Sequence, residues 1–120
     1  AAAILGPPTE KEVGQFLSLV RNNHIEPVRE LLLRSAKEMV VDGGIRILNT
    51  RDTHGNTAIL VAAQQGHKKM VKMLIQAECD LNSQNKRGNT ALHYAVHYNM
   101  GEVTELLLKK GADDSITNHL

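Results

Sequence analysis

Apolar and polar positions in the second half of the chain follow a pattern that repeats every 33 residues. Shifting the sequence by 33 places residues 54–59 over residues 87–92, and seven of the 33 aligned positions are identical. Apolar positions that differ between the copies remain apolar, since Met70 aligns with Val103 and Cys79 with Ala112. A fixed period of this length indicates a stacked repeat, in which each unit buries its apolar face against its neighbours.

Each copy predicts two short helices and a polar connection. The first helix begins at Thr57 or Thr90 and ends at Gly66 or Asn99, because glycine and asparagine tolerate the left-handed backbone that closes a helix. Apolar residues at helical spacing then predict a second helix. Residues 80–88 between the copies are rich in turn formers and should project as a turn or finger.

The first half of the chain is interpreted as a third, irregular copy. A capping box around Thr9 and the apolar stripe behind it predict a helix from about Thr9 to Asn22. Pro27 suits the first turn of the next helix, whose apolar face continues as far as Val41.

The spacing of this first copy predicts an insertion. Aligning Val28 with Met70 gives an offset of 42, so we expect nine extra residues before Asn49. The apolar spacing favours a continuous helix into the insertion, which occupies roughly residues 35–48. A hairpin closed by residues 42–44 is the alternative.

Composition excludes several classes of protein. The chain has 120 residues, enough for one domain, and its formal net charge of +1 predicts no strong attraction to nucleic acid or to anionic membranes. The single cysteine, Cys79, rules out an intrachain disulfide and suits a reducing intracellular compartment, cytoplasmic or nuclear. Residues 1–8 are interpreted as a disordered or cloning-derived leader, too short in its apolar part to cross a membrane.

Several short motifs together resemble the ankyrin repeat. They are Gly55-Asn56-Thr57-Ala58, Gly88-Asn89-Thr90-Ala91-Leu92-His93, Gly66-His67 and Gly111-Ala112-Asp113. The resemblance implies an all-α solenoid of about three helix-turn-helix pairs with projecting hairpin-like fingers. Its expected divisions are an irregular repeat over 9–51, regular repeats over 52–84 and 85–117, and the start of a further repeat at 118–120.

The sequence departs from the family pattern in three respects. Ala58 and Ala91 replace the usual proline, Leu60 replaces the usual histidine, and Glu78 replaces the usual glycine. We therefore expect a less regular middle repeat and a weaker polar network between the fingers.

The resemblance implies a protein-interaction module that binds a partner protein through its concave helix face and finger tips, as a monomer or within a longer chain. A regulatory or targeting segment of a larger enzyme or channel is the alternative. No catalytic site and no cofactor are expected. The residues at the family's contact positions are Thr53, His54, Asn56, Gln64, Gln65, Lys86, Arg87, Asn89, His97 and Tyr98.

Three further features allow a functional and a structural interpretation. His93 and His97 lie four residues apart on one helix, as metal ligands do, but without the glutamate of a zinc protease, and His93 is more simply structural. Lysines at 68, 69, 72 and 86 with Arg87 could form a basic area, although a solvated face explains them better. Asn82 resembles the finger asparagine that is hydroxylated in some ankyrin proteins.

Overall fold

The computed structural model describes residues 10–38 and 47–118. Within them lie six α-helices and one short 3₁₀ segment, Ile47–Asn49, without any strand. The helices are α1 (Glu10–Arg21), α2 (Ile25–Glu38), α3 (Ala58–Gln64), α4 (Lys68–Gln76), α5 (Ala91–His97) and α6 (Gly101–Lys109). They form three consecutive helix pairs, which confirms the all-α repeat architecture.

The three pairs stack side by side in two rows. In the inner row, α3 packs between α1 and α5, and in the outer row α4 packs on α6. The molecule is accordingly elongated, with principal extents of 44 × 26 × 25 Å. Because each unit contacts mainly its neighbours, the core is a continuous strip of buried side chains along the stack.

The turn between the two helices of a pair has the same hydrogen-bond pattern in all three repeats. Asn23, Gly66 and Asn99 adopt positive φ angles of 60°, 74° and 56°. The next residue donates its backbone N–H five residues back, to the carbonyls of Leu19, Ala62 and Ala95 respectively. This is the helix ending expected at Gly66 and Asn99, and it recurs in the first repeat.

These turns fix the register of the first repeat. Asn23 is equivalent to Gly66, and Ile25 at the start of α2 is equivalent to Lys68 at the start of α4, so the offset is 43 residues. Val28 therefore corresponds to Val71 and not to Met70, although both are fully buried. The insertion before Asn49 is ten residues, and the expected nine was wrong by one.

A second left-handed residue ends the outer helix of each regular repeat. Gly111 follows α6 with a φ of 98°, and Glu78 occupies the same place after α4 with a φ of 63°. The closing hydrogen bond is longer beside the glutamate, at 3.5 Å from the nitrogen of Cys79 to the oxygen of Leu74, than the 2.9 Å bond after α6. Glutamate in place of the expected glycine therefore keeps the turn but lengthens its closing hydrogen bond.

The middle repeat is more deeply buried than the last one. Every residue of α3 from Ala58 to Ala63 is buried. Ala63 and Ile75 are 0% and 3% exposed, whereas their equivalents in the last repeat, Val96 and Leu108, are 62% and 45% exposed. The middle repeat packs one apolar face against the last repeat. The equivalent face of the last repeat is exposed.

Some sequence expectations fall outside the described residues. These are the leader over 1–8, the choice between helix and hairpin over 39–46, and most of the segment 118–120. In the part of the chain that the structure describes, no helix is both long and apolar enough to cross a membrane.

Candidate functional site

An open cavity of about 450 Å³ lies on the inner side of the stack, between two neighbouring fingers and the inner helices α3 and α5. We call it the groove. Seven of the ten contact residues expected from sequence line it, together with Asn85 and Tyr94. The seven are His54, Asn56, Gln64, Gln65, Lys86, Arg87 and Tyr98.

The other three expected residues lie outside the lining. Thr53 is exposed. Asn89 is half-buried, and its amide joins Tyr94 to Asn118. His97 is exposed and places its ring edge-on against Tyr98, with 4.9 Å between ring centroids. These residues remain predicted contacts, placed around the groove or supporting it.

Each finger is closed by an Asp or Asn side chain at its base. Asp52 accepts the backbone N–H groups of His54 and Asn56 at 2.8 and 2.9 Å. One repeat later, Asn85 accepts those of Arg87 and Asn89, both at 3.0 Å. Side chains of this type stabilise turns by such bonds, so the fingertip backbone is held from within.

Neighbouring fingers are also joined to each other. The backbone N–H of Lys86 donates to the carbonyl of His54 at 3.0 Å. Arg51 donates to the carbonyls of Gly55 and Gln84 at 2.9 and 2.8 Å. Gln84 repeats this arrangement, donating to the carbonyls of Gly88 and Thr117 at 2.8 and 3.1 Å. The finger tips therefore have a fixed spacing.

Asparagine oxygens make a third connection between repeats. Asn49 accepts the backbone N–H of Asp80 at 3.0 Å, and Asn82 accepts that of Asp113 at 2.8 Å. Asn82 is exposed, and its side-chain oxygen contributes to the stack. Its hydroxylation stays a prediction, which intact-mass measurement of the protein purified from its native cells would test.

The polar centre of the groove wall is the hydroxyl of Tyr94. Gln64, Asn85 and Asn89 each direct an amide nitrogen to its oxygen, at 3.1, 2.9 and 3.2 Å. Gln64 and Asn85 also donate to the side-chain oxygen of Asn56, at 2.9 and 3.0 Å. Five side chains from two repeats thus form one network.

The backbone determines the orientation of the amides in this network. Because the oxygen of Asn85 accepts two backbone N–H groups, its nitrogen must face Asn56 and Tyr94. Asn56 must then present its oxygen, and Gln64 its nitrogen, since two like atoms would repel. The backbone N–H groups of the finger therefore fix the orientation of these amides.

Sequence reasoning missed Asn85 and Tyr94. Tyr94 aligns with Val61, so the period indicated an apolar position, and Asn85 appeared to be an ordinary turn residue. The only available signal was the change from valine to tyrosine between copies. The two tyrosine rings stack nearly parallel, with centroids 6.4 Å apart and planes 10° apart, so Tyr94 supports the half-exposed Tyr98.

The histidine that the family resemblance singled out has a structural role. The backbone N–H of Thr90 donates to Nδ1 of His93 at 2.8 Å, which leaves the proton on Nε2 to be donated to the carbonyl of Ile116 at 3.0 Å. In the middle repeat, Leu60 has no such group, and a hydroxyl contact of 3.1 Å between Thr57 and Ser83 connects the same two segments. The missing histidine is therefore compensated by Ser83.

The basic residues that the sequence suggested as one area are divided between two parts of the described structure. His67 contacts the carbonyl of Arg21 in the preceding repeat at 2.7 Å. Lys72 on α4 pairs with Glu102 on α6 in the outer row, whereas Lys86 and Arg87 lie at the groove. The five basic residues therefore lie on two faces. Among the described residues, no three His, Cys, Asp or Glu side chains are placed to hold a metal ion.

Two carboxyl groups outside the groove have a lowered pKa. A hydrogen bond from Lys72 and the charge of that lysine lower the pKa of Glu102. Hydrogen bonds from the hydroxyl and backbone of Ser115 lower the pKa of Asp113. Both carboxyl groups are exposed, so these interactions contribute little to folding.

The fold and the groove together define a solenoid of stacked helix pairs that presents side chains on a concave, finger-lined face. A sequence model of ankyrin repeats in three copies matches residues 16–118. The chain therefore belongs to the ankyrin repeat family.

Segments of several larger proteins are similar to this chain. It is 33% identical over 88 residues to the rat protein phosphatase 1 regulatory subunit 12A, covering 73% of this chain and 8% of that protein. It is 34% identical over 76 residues to human neurogenic locus notch homolog protein 2, covering 63% and 3%. It is 38% identical over 58 residues to the ankyrin repeat and KH domain-containing protein mask-1 of Caenorhabditis elegans, covering 48% and 2%.

Proposed function

We propose that this chain is a protein-interaction module that binds a partner protein in the groove and on the adjacent finger tips. Ankyrin repeats are in general protein-protein interaction modules, and the chain matches their sequence model over 103 of its residues, 16–118. The observation that carries the proposal is the convergence of seven of the ten expected contact residues on one cavity.

The physical character of the groove supports a protein ligand. Its volume lies within the range of about 300–1,000 Å³ that is typical of ligand sites, but its wall is polar and open on one side. Tyr98 is 50% exposed there, and tyrosine is enriched among the residues that dominate binding energy. Arg87 is exposed at the adjacent finger tip and belongs to the same enriched class.

An affinity capture with three forms of the chain tests this placement. The first is the unaltered chain, the second carries Arg87→Ala with Tyr98→Ala, and the third carries Lys69→Ala with Lys109→Ala on the exposed outer helices. We expect proteins captured by the first form to be retained by the third and lost by the second. Equal melting temperatures for the three forms would show that folding is unaffected. Loss in the outer variant, or retention in the groove variant, would contradict the proposal.

A second candidate is that the module is a regulatory or targeting segment of a larger enzyme or channel. The matched segments cover 8%, 3% and 2% of the three relatives named above, one of which is a phosphatase regulatory subunit by name. Cys79 is buried as a thiol outside any disulfide, which supports a reducing, intracellular setting. An antibody against residues 52–117 would report the native polypeptide's size and compartment, and a native species no larger than this chain would contradict the candidate.

A further inference from the structure

The charge of the groove is of one sign. Lys86 and Arg87 line it, and none of its nine lining residues is acidic. His54 stands at the equivalent position to Arg87 on the preceding finger tip. Asp52 lies at the base of the His54 finger, but its carboxylate accepts two backbone N–H groups there and approaches Arg21 at 3.9 Å. The groove therefore presents the guanidinium of Arg87, and its lining contains no carboxylate.

Arg87 is the exposed cation best suited to bind an anion. Its backbone N–H is bound by Asn85, which holds the finger tip, while the side chain is exposed. A guanidinium presents parallel N–H donors that match the two oxygens of a carboxylate. The network below it is already fixed by backbone hydrogen bonds, so ligand binding would order few additional groups.

The hydroxyl of Tyr94 adds a directed donor. A phenol oxygen has two lone pairs and one hydrogen, and three amide nitrogens already converge on this oxygen. Two of these contacts are enough to fill its accepting capacity, and none of the three nitrogens can accept its hydrogen. Since Tyr94 lines the groove, the hydroxyl hydrogen is available to an acceptor located there.

Taken together, these groups specify the chemistry of the ligand. We infer that the groove binds an acidic segment of a partner protein, with carboxylate oxygens accepting from the Arg87 guanidinium and the Tyr94 hydroxyl and with an adjacent side chain on the Tyr98 ring. This inference rests on the proposed function and narrows it to one class of partner. A nucleic-acid backbone fits less well, because a formal net charge of +1 and one basic finger tip provide no continuous stripe of cations.

Selection from a phage-displayed library of random dodecapeptides tests the inference. The unaltered chain is the bait, and enriched peptides are synthesised and measured by fluorescence polarisation. We expect enrichment in Asp and Glu. Exchanging each Glu for Gln in such a peptide should weaken binding, and Arg87→Gln in the chain should weaken it about tenfold, as expected for one charge-assisted bond. Lys109→Gln, which removes one exposed charge from α6, is the matched control and should leave affinity unchanged.

The Tyr94 donor is tested by a double-mutant cycle. Tyr94→Phe is combined with the Glu→Gln peptide, and the two changes should be less than additive if the hydroxyl binds the carboxylate. If Tyr94→Phe lowers stability too far for binding assays, the Arg87→Gln comparison decides alone.

The possible outcomes separate the inference from the proposed function. Neutral or basic enriched peptides whose binding is lost with Tyr98→Ala would overturn the carboxylate inference and leave the proposed function standing. Peptides insensitive to both Arg87→Gln and Tyr98→Ala, or no enrichment at all, would count against both. Tighter binding of a single-stranded oligothymidine than of any peptide, with sensitivity to Arg87→Gln, would assign the groove to nucleic acid and overturn the inference.

Discussion

The network around Tyr94 makes a sharp prediction for the isosteric change Asn85→Asp. One carboxylate oxygen would still accept the backbone N–H groups of Arg87 and Asn89, as the carboxylate of Asp52 does in its own finger. The other would replace the nitrogen that donates to Asn56 at 3.0 Å and to Tyr94 at 2.9 Å. The Tyr94 hydroxyl can turn to donate to it, but the contact with Asn56 becomes repulsive.

The expected cost of this change is about 2 kcal/mol in the free energy of unfolding at neutral pH, from one lost buried hydrogen bond and the burial of a charge. For a chain of this size the melting temperature should fall by about 8 °C. The matched control is Asn82→Asp. Asn82 is exposed and uses its oxygen on the backbone of Asp113, so that change should alter stability by less than about 0.5 kcal/mol.

The cost of Asn85→Asp should also depend on pH. If the buried charge destabilises the folded chain as expected, burial and the Asn56 oxygen outweigh the two backbone N–H donors, and the pKa of the introduced carboxyl is raised in the folded state. The penalty is therefore largest at neutral pH, and its charge component disappears as the pH falls below the unfolded-state pKa of about 3.9. Urea unfolding followed by far-UV circular dichroism at several pH values measures this. A penalty independent of pH, or equal for Asn82→Asp, would refute the assigned network.

Two further predictions concern left-handed positions. Gly55→Ala and Gly66→Ala should each lower the free energy of unfolding by about 1 kcal/mol through backbone strain. Of the two, only the new Cβ at position 55 would also contact the backbone nitrogen of Lys86, at 3.1 Å. The melting temperature should therefore fall further for Gly55→Ala than for Gly66→Ala. Glu78 adopts a φ of 63°, which glycine tolerates better than alanine. The free energy of unfolding of the Glu78→Gly variant should therefore exceed that of the Glu78→Ala variant by about 1 kcal/mol. Equal stabilities of the two variants would show that the turn is unstrained.

Much of the fold was predictable because the same pattern of apolar and turn residues occurs twice in the sequence. The alignment of residues 52–84 with residues 85–117 reveals which positions must be apolar and where the chain must turn. The first repeat has no close copy, and a single apolar match, Val28 to Met70, could slide by one residue along a helix without changing its apparent character. The turn at Asn23 fixes the register only once its backbone angle is known.

Most of the groove lining was predictable from sequence, but the hydrogen bonds that order it were not. Family resemblance indicates which positions face the groove, and seven of ten do line it. It cannot indicate which side chains hold the others. Asn56 illustrates the difference, because it stands at a contact position yet is only 7% exposed and binds its neighbours. Tyr94 illustrates the converse, since a hydrogen-bonding centre replaces valine at a position that the period marks as apolar.

The structure separates the residues that hold the fingers from those whose exposed side chains line the groove. Arg51, Gln84 and Asn85 fix the finger backbone, and their hydrogen bonds use backbone carbonyls or buried amides. Arg87 and Tyr98, in contrast, extend from that backbone with exposed side chains. Because the supporting bonds do not involve the displayed side chains, those side chains can change without altering the finger geometry. Under the proposed function, binding specificity therefore depends on a few exposed groups, while stability depends on the network beneath them.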